Sequence, residues 1–318
     1  MNNPTQPNQS NQPNQMACKP DRGIHIDLNV TSICNLACTY CSEGSGEDGV
    51  TCGLSSLKMS NTRVTPEEVA ERILAQPGKK SINFWGGEPL VNWEYCKEVI
   101  NRTKHDPSVN YFFYSNGILV KEYIDEIEKF SDEITEFGKN KNRFVIQISY
   151  DGEYLTDTIR LDRSGKGSAK RVKEAYLLLK ERKIATSLKS VISYEGLEHL
   201  YESFLDLYEL QGHYNPTPDL FVEATPEEMQ EYYEKIGEEL EKIMKFIYEN
   251  NLNPDVFSWF RLSRPVCSAG AGLCGVDLTG ELYPCHGCFY EGRDEVKTGF
   301  FTDIGTPKLQ EIREKFAE

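Results

Sequence analysis

From residue 24 the chain alternates apolar Ile24, Ile26, Leu28 and Val30 with polar His25, Asp27 and Asn29. A period of two is that of a β-strand with one apolar face. Short apolar runs at residues 81–85, 111–114, 144–149, 185–192 and 220–223 predict further strands. Between them the spacing becomes helical. Thr65-Pro66-Glu67-Glu68 opens one helix: threonine suits the N-cap, proline the first turn, and the acidic pair the positive end of the helix dipole. Others are predicted over residues 93–102, 121–130, 169–182 and 197–210. Strands alternating with helices imply parallel βαβ units and an α/β fold.

The flanks have a different texture. Residues 1–16 are mostly Asn, Gln, Pro and Ser, with nothing to bury, and are expected to be disordered. Residues 44–61 read as a long Gly- and Ser-rich loop. Thr225-Pro226-Glu227-Glu228 repeats the helix-opening signal, and Ile236, Leu240, Ile243 and Ile247 carry that helix to about residue 250. Beyond residue 260 cysteines and glycines are dense. The expected organisation is a polar tail (1–20), an α/β body (21–225), a linking helix (226–259) and a small cysteine-rich metal domain (260–318).

Fifty acidic against 35 basic residues give a net charge of -15. That balance argues against broad binding to nucleic-acid phosphates. It leaves a peptide, a nucleotide or a small metabolite open as substrate. No run of eighteen apolar residues suggests a membrane span, and no secretory leader is visible, so a cytoplasmic location is expected. In that compartment ten cysteines point to metal or catalytic roles more than to disulfides. Seven of them fall in two short clusters, with only Cys18, Cys52 and Cys96 outside.

Cys34, Cys38 and Cys41 have the spacing CxxxCxxC, in the loop after the first strand. Three thiolates on one tight loop can hold three irons of a cubane cluster and leave the fourth iron open. A zinc site without a local fourth ligand is the alternative. With Tyr40 just before the third cysteine, these residues resemble the radical S-adenosylmethionine (SAM) superfamily, over residues 23–223. Gly86-Gly87-Glu88-Pro89 resembles its GGEP motif, in which the glycines let backbone approach the SAM amino group and the glutamate accepts from that ammonium. Ser115-Asn116-Gly117 resembles the strand-end TNG segment, with serine for threonine. Ser149-Tyr150-Asp151-Gly152 resembles the S-x-D-G segment, whose polar groups meet SAM or substrate. Arg160, followed by Gly165-Lys166-Gly167-Ser168, matches a stretch in which an arginine pairs with the SAM carboxylate; a surface ion pair is the plainer reading. The resemblance implies a partial (β/α)6 barrel of TIM type, with the site at the C-terminal ends of the strands.

The second cluster comprises Cys267, Cys274, Cys285 and Cys288. Four thiols so close suit a second iron–sulfur cluster or a zinc knuckle. Val276-Asp277-Leu278-Thr279-Gly280-Glu281-Leu282-Tyr283-Pro284 reads as a hairpin turning at Thr-Gly. It resembles the hairpin of SPASM and twitch auxiliary-cluster domains, with Cys267 and Cys285 at their positions around Gly280. Cys274 and Cys288 are not standard positions there. No further cysteine-rich segment follows, so one auxiliary 4Fe–4S cluster is expected rather than two. Anaerobic sulfatase maturases often carry an acidic residue after the corresponding cysteine, where this chain has His286.

What the resemblance implies is reductive cleavage of SAM at a 4Fe–4S cluster. The resulting 5′-deoxyadenosyl radical abstracts a substrate hydrogen atom, with flavodoxin or ferredoxin as reductant. Relatives with the hairpin modify peptides or protein side chains by crosslinking, oxidation or epimerisation. A small-molecule dehydrogenase or a nucleotide cyclase of cofactor biosynthesis is the alternative enzyme. A non-catalytic iron–sulfur or zinc protein is the alternative of another class, and it leaves the GGEP motif without a purpose.

Overall fold

The computed structural model describes residues 23–41, 60–138, 140–218, 225–261, 273–286 and 297–304, with residues 306, 308 and 311. Its first half runs β1 (Ile24–Thr31), β2 (Leu36–Cys38), α1 (Pro66–Leu74), β3 (Lys80–Gly86), α2 (Trp93–Thr103), β4 (Val109–Ser115), α3 (Val120–Gly138) and β5 (Phe144–Ser149). There follow α4 (Glu153–Ile159), β6 (Arg160–Asp162), α5 (Ala169–Glu181), β7 (Ala185–Ile192), α6 (Leu200–Gln211), β8 (Pro216–Pro218) and α7 (Pro226–Glu249). The C-terminal strands are β9 (Leu273–Val276), β10 (Glu281–Tyr283) and β11 (Gly299–Phe300).

One sheet carries the fold, in the order β11-β10-β9-β1-β3-β4-β5-β7-β8. From β9 across to β8 every neighbouring pair is parallel. One face is the apolar core: Ile26, Leu28, Ile82, Phe84, Phe113, Ile146, Ile148 and Leu188 pack with α-helical residues such as Trp93, Ile127, Val172 and Phe204. The other face is polar yet buried. Asp27 stands opposite Asn83 in the register and accepts from its Nδ2 at 2.7 Å, while Ser81 Oγ donates to Asn83 Oδ1 at 2.6 Å. The alternation along β1 therefore separates a helix-packed face from the polar inner face of a curved sheet.

Both Thr-Pro-Glu-Glu signals form capping boxes, with Thr65 and Thr225 accepting from the N3 amides of Glu68 and Glu228 at 3.2 Å. α3 continues past the predicted residue 130, because Ile134 extends the buried row of Ile127 and Phe130. α4, β2 and β6 were not foreseen, since each is only one or two turns or three residues long. The strand beside β7 is β8, a few residues before the predicted one; residues 220–223 lie outside the described residues.

The predicted hairpin is present as β9 and β10. Gly280 takes φ +86 at its turn, and Asp277 Oδ1 accepts from the amides of Thr279 and Glu281. β9 lies parallel to β1, from His25 opposite Leu273 to Leu28 opposite Val276. The C-terminal segment thus shares the sheet of the α/β body.

Candidate active site

The cysteine loop leaves β1 at the C-terminal edge of the sheet, where parallel α/β folds place their sites. β2 pairs antiparallel with β6, which sets Cys38 opposite Arg160. The Cys41 amide donates to the Cys38 carbonyl at 3.2 Å and closes the turn. All three cysteines are half-buried. Burial pushes the Cys34 thiol up to about 12, with the Glu88 carboxylate adding to the rise, and pushes Cys38 up to about 11 against the pull of Arg160. Both therefore stay protonated in the metal-free chain, and their thiolates would be favoured only with a metal bound.

Gly86 and Gly87 pass directly beneath this loop. Gly86 takes φ +131, and a Cβ there would lie 2.3 Å from the Thr31 carbonyl oxygen; one on Gly87 would lie 2.5 Å from that of Ile33. The Gly87 and Glu88 amides donate to those same carbonyls at 2.8 and 2.9 Å. The glycines are needed here for close approach of backbone to the chain leading into Cys34. Glu88 is 1% exposed. Its carboxylate accepts from Leu90 N at 3.1 Å, Ser115 Oγ at 2.9 Å and Asn116 N at 2.6 Å. Burial raises its pKa to about 7, and those hydrogen bonds hold it from rising further. A carboxylate has about four acceptor sites, so the three protein donors leave one on Glu88 for an ammonium.

On the far side of the loop, Arg160 Nε donates to Asp151 Oδ2 at 2.6 Å and Nη2 to Oδ1 at 3.4 Å. Asp151 also accepts from Tyr40 Oη at 3.3 Å and Val191 N at 2.8 Å. The Arg160 guanidinium lies 5.2 Å from the centre of the Tyr40 ring. Burial disfavours the Arg160 cation, but Asp151 outweighs that and raises its pKa. Arg160, expected to meet the SAM carboxylate or to form a surface ion pair, is instead buried and paired with Asp151 in this structure.

Of the residues singled out in sequence, Cys34, Gly86, Gly87, Glu88, Ser115 and Asn116 form one contiguous group, and Cys38, Tyr40, Asp151 and Arg160 another. Ser149 ends β5 opposite Lys189. Cys274 is buried in the core, opposite Ile26 of β1, whereas Cys285 is half-buried after β10. Cys267 and Cys288 lie outside the described residues.

Of the other polar groups at the site, Arg163, Asn35 and Lys189 are not singled out in the sequence, and His286 stands out there only because relatives often carry an acidic residue at that position. Arg163 donates to the Cys34 carbonyl from Nη2 at 2.6 Å and Nε at 3.1 Å. Asn35 Oδ1 accepts from Asn116 Nδ2 at 2.7 Å. His286 Nδ1 meets Asp27 Oδ2 at 2.5 Å, and its ring lies 4.9 Å from that of Trp85. Lys189 is lowered to about 8 by burial and donates to the Asn215 carbonyl at 3.0 Å. The CxxxCxxC cysteines and the glycine turn announce a site most directly; an isolated Asn, Arg or His acquires meaning from its neighbours in space.

The residues present fit an iron–sulfur cluster. Cys34, Cys38 and Cys41 share one loop, though among the described residues they are not drawn together as a ready metal-binding group, and next to Cys34 the buried Asn35 Nδ2 has no hydrogen-bond partner among the described residues. A buried donor without an acceptor is costly, and cluster sulfur provides acceptors.

The chain is similar to several known proteins. A cyclopropyl synthase, TigE, of Paramaledivibacter caminithermalis is 23% identical over 288 residues, covering 82% of this chain and 57% of its own length. An uncharacterised protein of Methanocaldococcus jannaschii is 24% identical over 268 residues, covering 82% of this chain and 84% of its own. The solved structure of native anSMEcpe with bound AdoMet superimposes with a TM-score of 0.69 at 20% identity, over 92% of this chain and 82% of that one. The model of the Radical SAM superfamily matches residues 28–210, more than half of the chain, and the chain belongs to that superfamily.

Proposed function

We propose that this radical SAM enzyme modifies a peptide or protein side chain, and that Cys285 belongs to a second metal group facing the same substrate. The observation that carries this reading is the contact of His286 with Asp27. It places the segment after β10 against the polar inner face of the sheet, at the end of which the cysteine loop sits. A second metal group there would border the substrate. The likeness to anSMEcpe, which has also been solved with bound AdoMet and a peptide at a TM-score of 0.66 and 21% identity, supports the fold that such a reaction needs. The cyclopropyl synthase TigE is of the same superfamily.

When bound, the cluster on Cys34, Cys38 and Cys41 and its SAM supply reductive cleavage of the sulfonium and abstraction of a substrate hydrogen atom. The chain's own residues hold, orient and seclude. Gly86 and Gly87 clamp the approach to Cys34, and Glu88 ties that clamp to the end of β4. The Asp151–Arg160 pair fixes β6 and, through Cys38, the second half of the loop. Trp85, Tyr114 and His286 bring aromatic rings together on the inner face, with Trp85 and Tyr114 centred 4.9 and 6.2 Å from the His286 ring. Such a wall keeps water from a reactive intermediate.

The test is anaerobic reconstitution, then incubation with SAM, dithionite and the product of any short open reading frame beside the gene. About eight irons per chain and a changed peptide mass support the reading. Four irons with zinc at the C-terminal site would remove the auxiliary cluster and keep the catalytic one. Turnover of GTP would instead favour a nucleotide cyclase, because a probable GTP 3′,8-cyclase of Methanocella arvoryzae is 37% identical over 72 residues, 22% of this chain. Failure to cleave SAM would favour a non-catalytic metal protein.

A further inference from the structure

We infer that Asn116 is a positioning residue for the cluster: its side-chain amide donates a hydrogen bond to the Cys34 sulfur and sets the reduction potential of the cluster held there. The inference rests on the three cysteines binding a cluster and concerns the ligand sulfur that the end of β4 reaches.

The orientation of the Asn116 amide follows from its partners. Its Oδ1 accepts from the Ile118 amide at 3.0 Å, in the turn that ends β4. The Nδ2 group must then face the cysteine loop. One of its hydrogens goes to Asn35 Oδ1 at 2.7 Å and the other to Cys34 Sγ at 3.7 Å. Exchanging oxygen and nitrogen would oppose Ile118 N to an NH2 group and Asn35 Oδ1 to a carbonyl oxygen, so the network leaves a single assignment. The backbone is held equally firmly, since Asn116 N donates to buried Glu88 at 2.6 Å. Asn116 itself is 8% exposed. This donor is fixed before any cluster binds.

The chemistry of the neighbouring sulfur differs. Cys34 Sγ receives two neutral N–H groups, from Asn116 and from the Leu36 amide at 3.4 Å. Cys38 instead has the Arg160 guanidinium as its hydrogen-bonding neighbour. In the thiol form Cys34 can donate to Asn35 Oδ1 at 3.9 Å, and that proton leaves when metal binds. The sulfur then only accepts. Reduction takes one electron from an external low-potential donor, breaks no bond and adds one negative charge to the cluster. Hydrogen bonds to ligand sulfur favour the more negative state, and more so away from water. Asn116 should therefore raise the potential and ease electron entry.

The experiment is an anaerobic redox titration of the reconstituted full-length protein with dithionite, followed by electron paramagnetic resonance. The signal of this cluster is identified as the one that changes when SAM is added. Asn116→Ala removes the donor. Asn116→Asp keeps an oxygen for Ile118 N and puts negative charge beside the sulfur. Both variants are expected to be harder to reduce, by roughly tenfold in the reduction equilibrium for alanine, which is about 59 mV for one electron, and by more for aspartate. Iron content and thermal unfolding near wild type should accompany the shift. A merely structural role would lower those two and leave the midpoint alone. Unmoved midpoints in both variants overturn the inference, and so does loss of the cluster from both with the fold retained. A wild type with no SAM-responsive signal overturns the cluster assignment beneath it.

Discussion

On one flank of the cysteine loop, the Cys34 sulfur is met by neutral N–H groups, the Leu36 amide and the Asn116 side chain, while the exposed Arg163 guanidinium reaches only the Cys34 carbonyl. On the other flank, Cys38 lies against a buried ion pair whose side chains are 1% and 7% exposed at Asp151 and Arg160. The neutral flank is a set of small independent gains, each about 0.5–1.5 kcal/mol. The ionic flank is all or nothing, because removing one partner strands the other charge in a medium of low polarity. The same loop is thus tuned from one side and locked from the other.

The largest effect comes from removing what both flanks hold. Replacing Cys34, Cys38 and Cys41 together with alanine should abolish iron at this site and production of 5′-deoxyadenosine. Chromatography of the SAM products reads the outcome, and residual cleavage would move the cluster elsewhere.

Next comes the lock. Arg160→Leu should cost about 3–5 kcal/mol by leaving Asp151 buried alone. The double change with Asp151→Asn should recover part of that loss. Urea denaturation of the metal-free protein measures both. A cost below about 1 kcal/mol for the single change would show that water reaches the pair and that the contrast between flanks is unreal.

Glu88 belongs to the neutral flank but carries a charge, and pH exposes it. Its pKa rises from 4.5 to about 7 on burial. The folded state therefore binds the proton more tightly than the unfolded chain. The contribution of this group to stability is full below about 4.5 and is lost as pH rises through about 7, with a change on the order of 3 kcal/mol. Thermal unfolding of the metal-free protein across that window should show the decline, and Glu88→Gln should flatten it. An equally steep decline in the glutamine variant would assign the slope to other groups.

The smallest effect is expected at Arg163, which is exposed. Arg163→Ala should change unfolding by less than about 1 kcal/mol and hasten loss of iron to a chelator by a fewfold. A large loss of stability would place Arg163 with the lock instead.

Local patterns were legible. The alternation from Ile24 to Val30, the Thr-Pro-Glu-Glu helix starts and the spacing of Cys34, Cys38 and Cys41 each lie within about ten residues, and each specifies its own geometry. Gly86 and Gly87 were recognisable as a close-approach turn. What they approach is the backbone at Thr31 and Ile33, which lies more than fifty positions earlier. The α/β class followed from the order of these elements.

Pairing across the chain was decided only in three dimensions. Parallel strands need a crossover, so nothing near residue 273 announces β1 as the neighbour of β9. Arg160 could have faced solvent, SAM or a carboxylate; the pairing of β2 with β6 turned it inward, where Asp151 is the charge that makes its burial affordable. Asn116 could be read as a strand-end polar residue, but which way its amide points depends on Ile118, Asn35 and Cys34 together. Sequence determined by itself the periodicities, caps and ligand spacing, because those act between neighbours along the chain. Tertiary structure decided which buried charge and which donor meets each sulfur, because burial makes an unpartnered polar group costly and only the packed sheet determines what lies within reach.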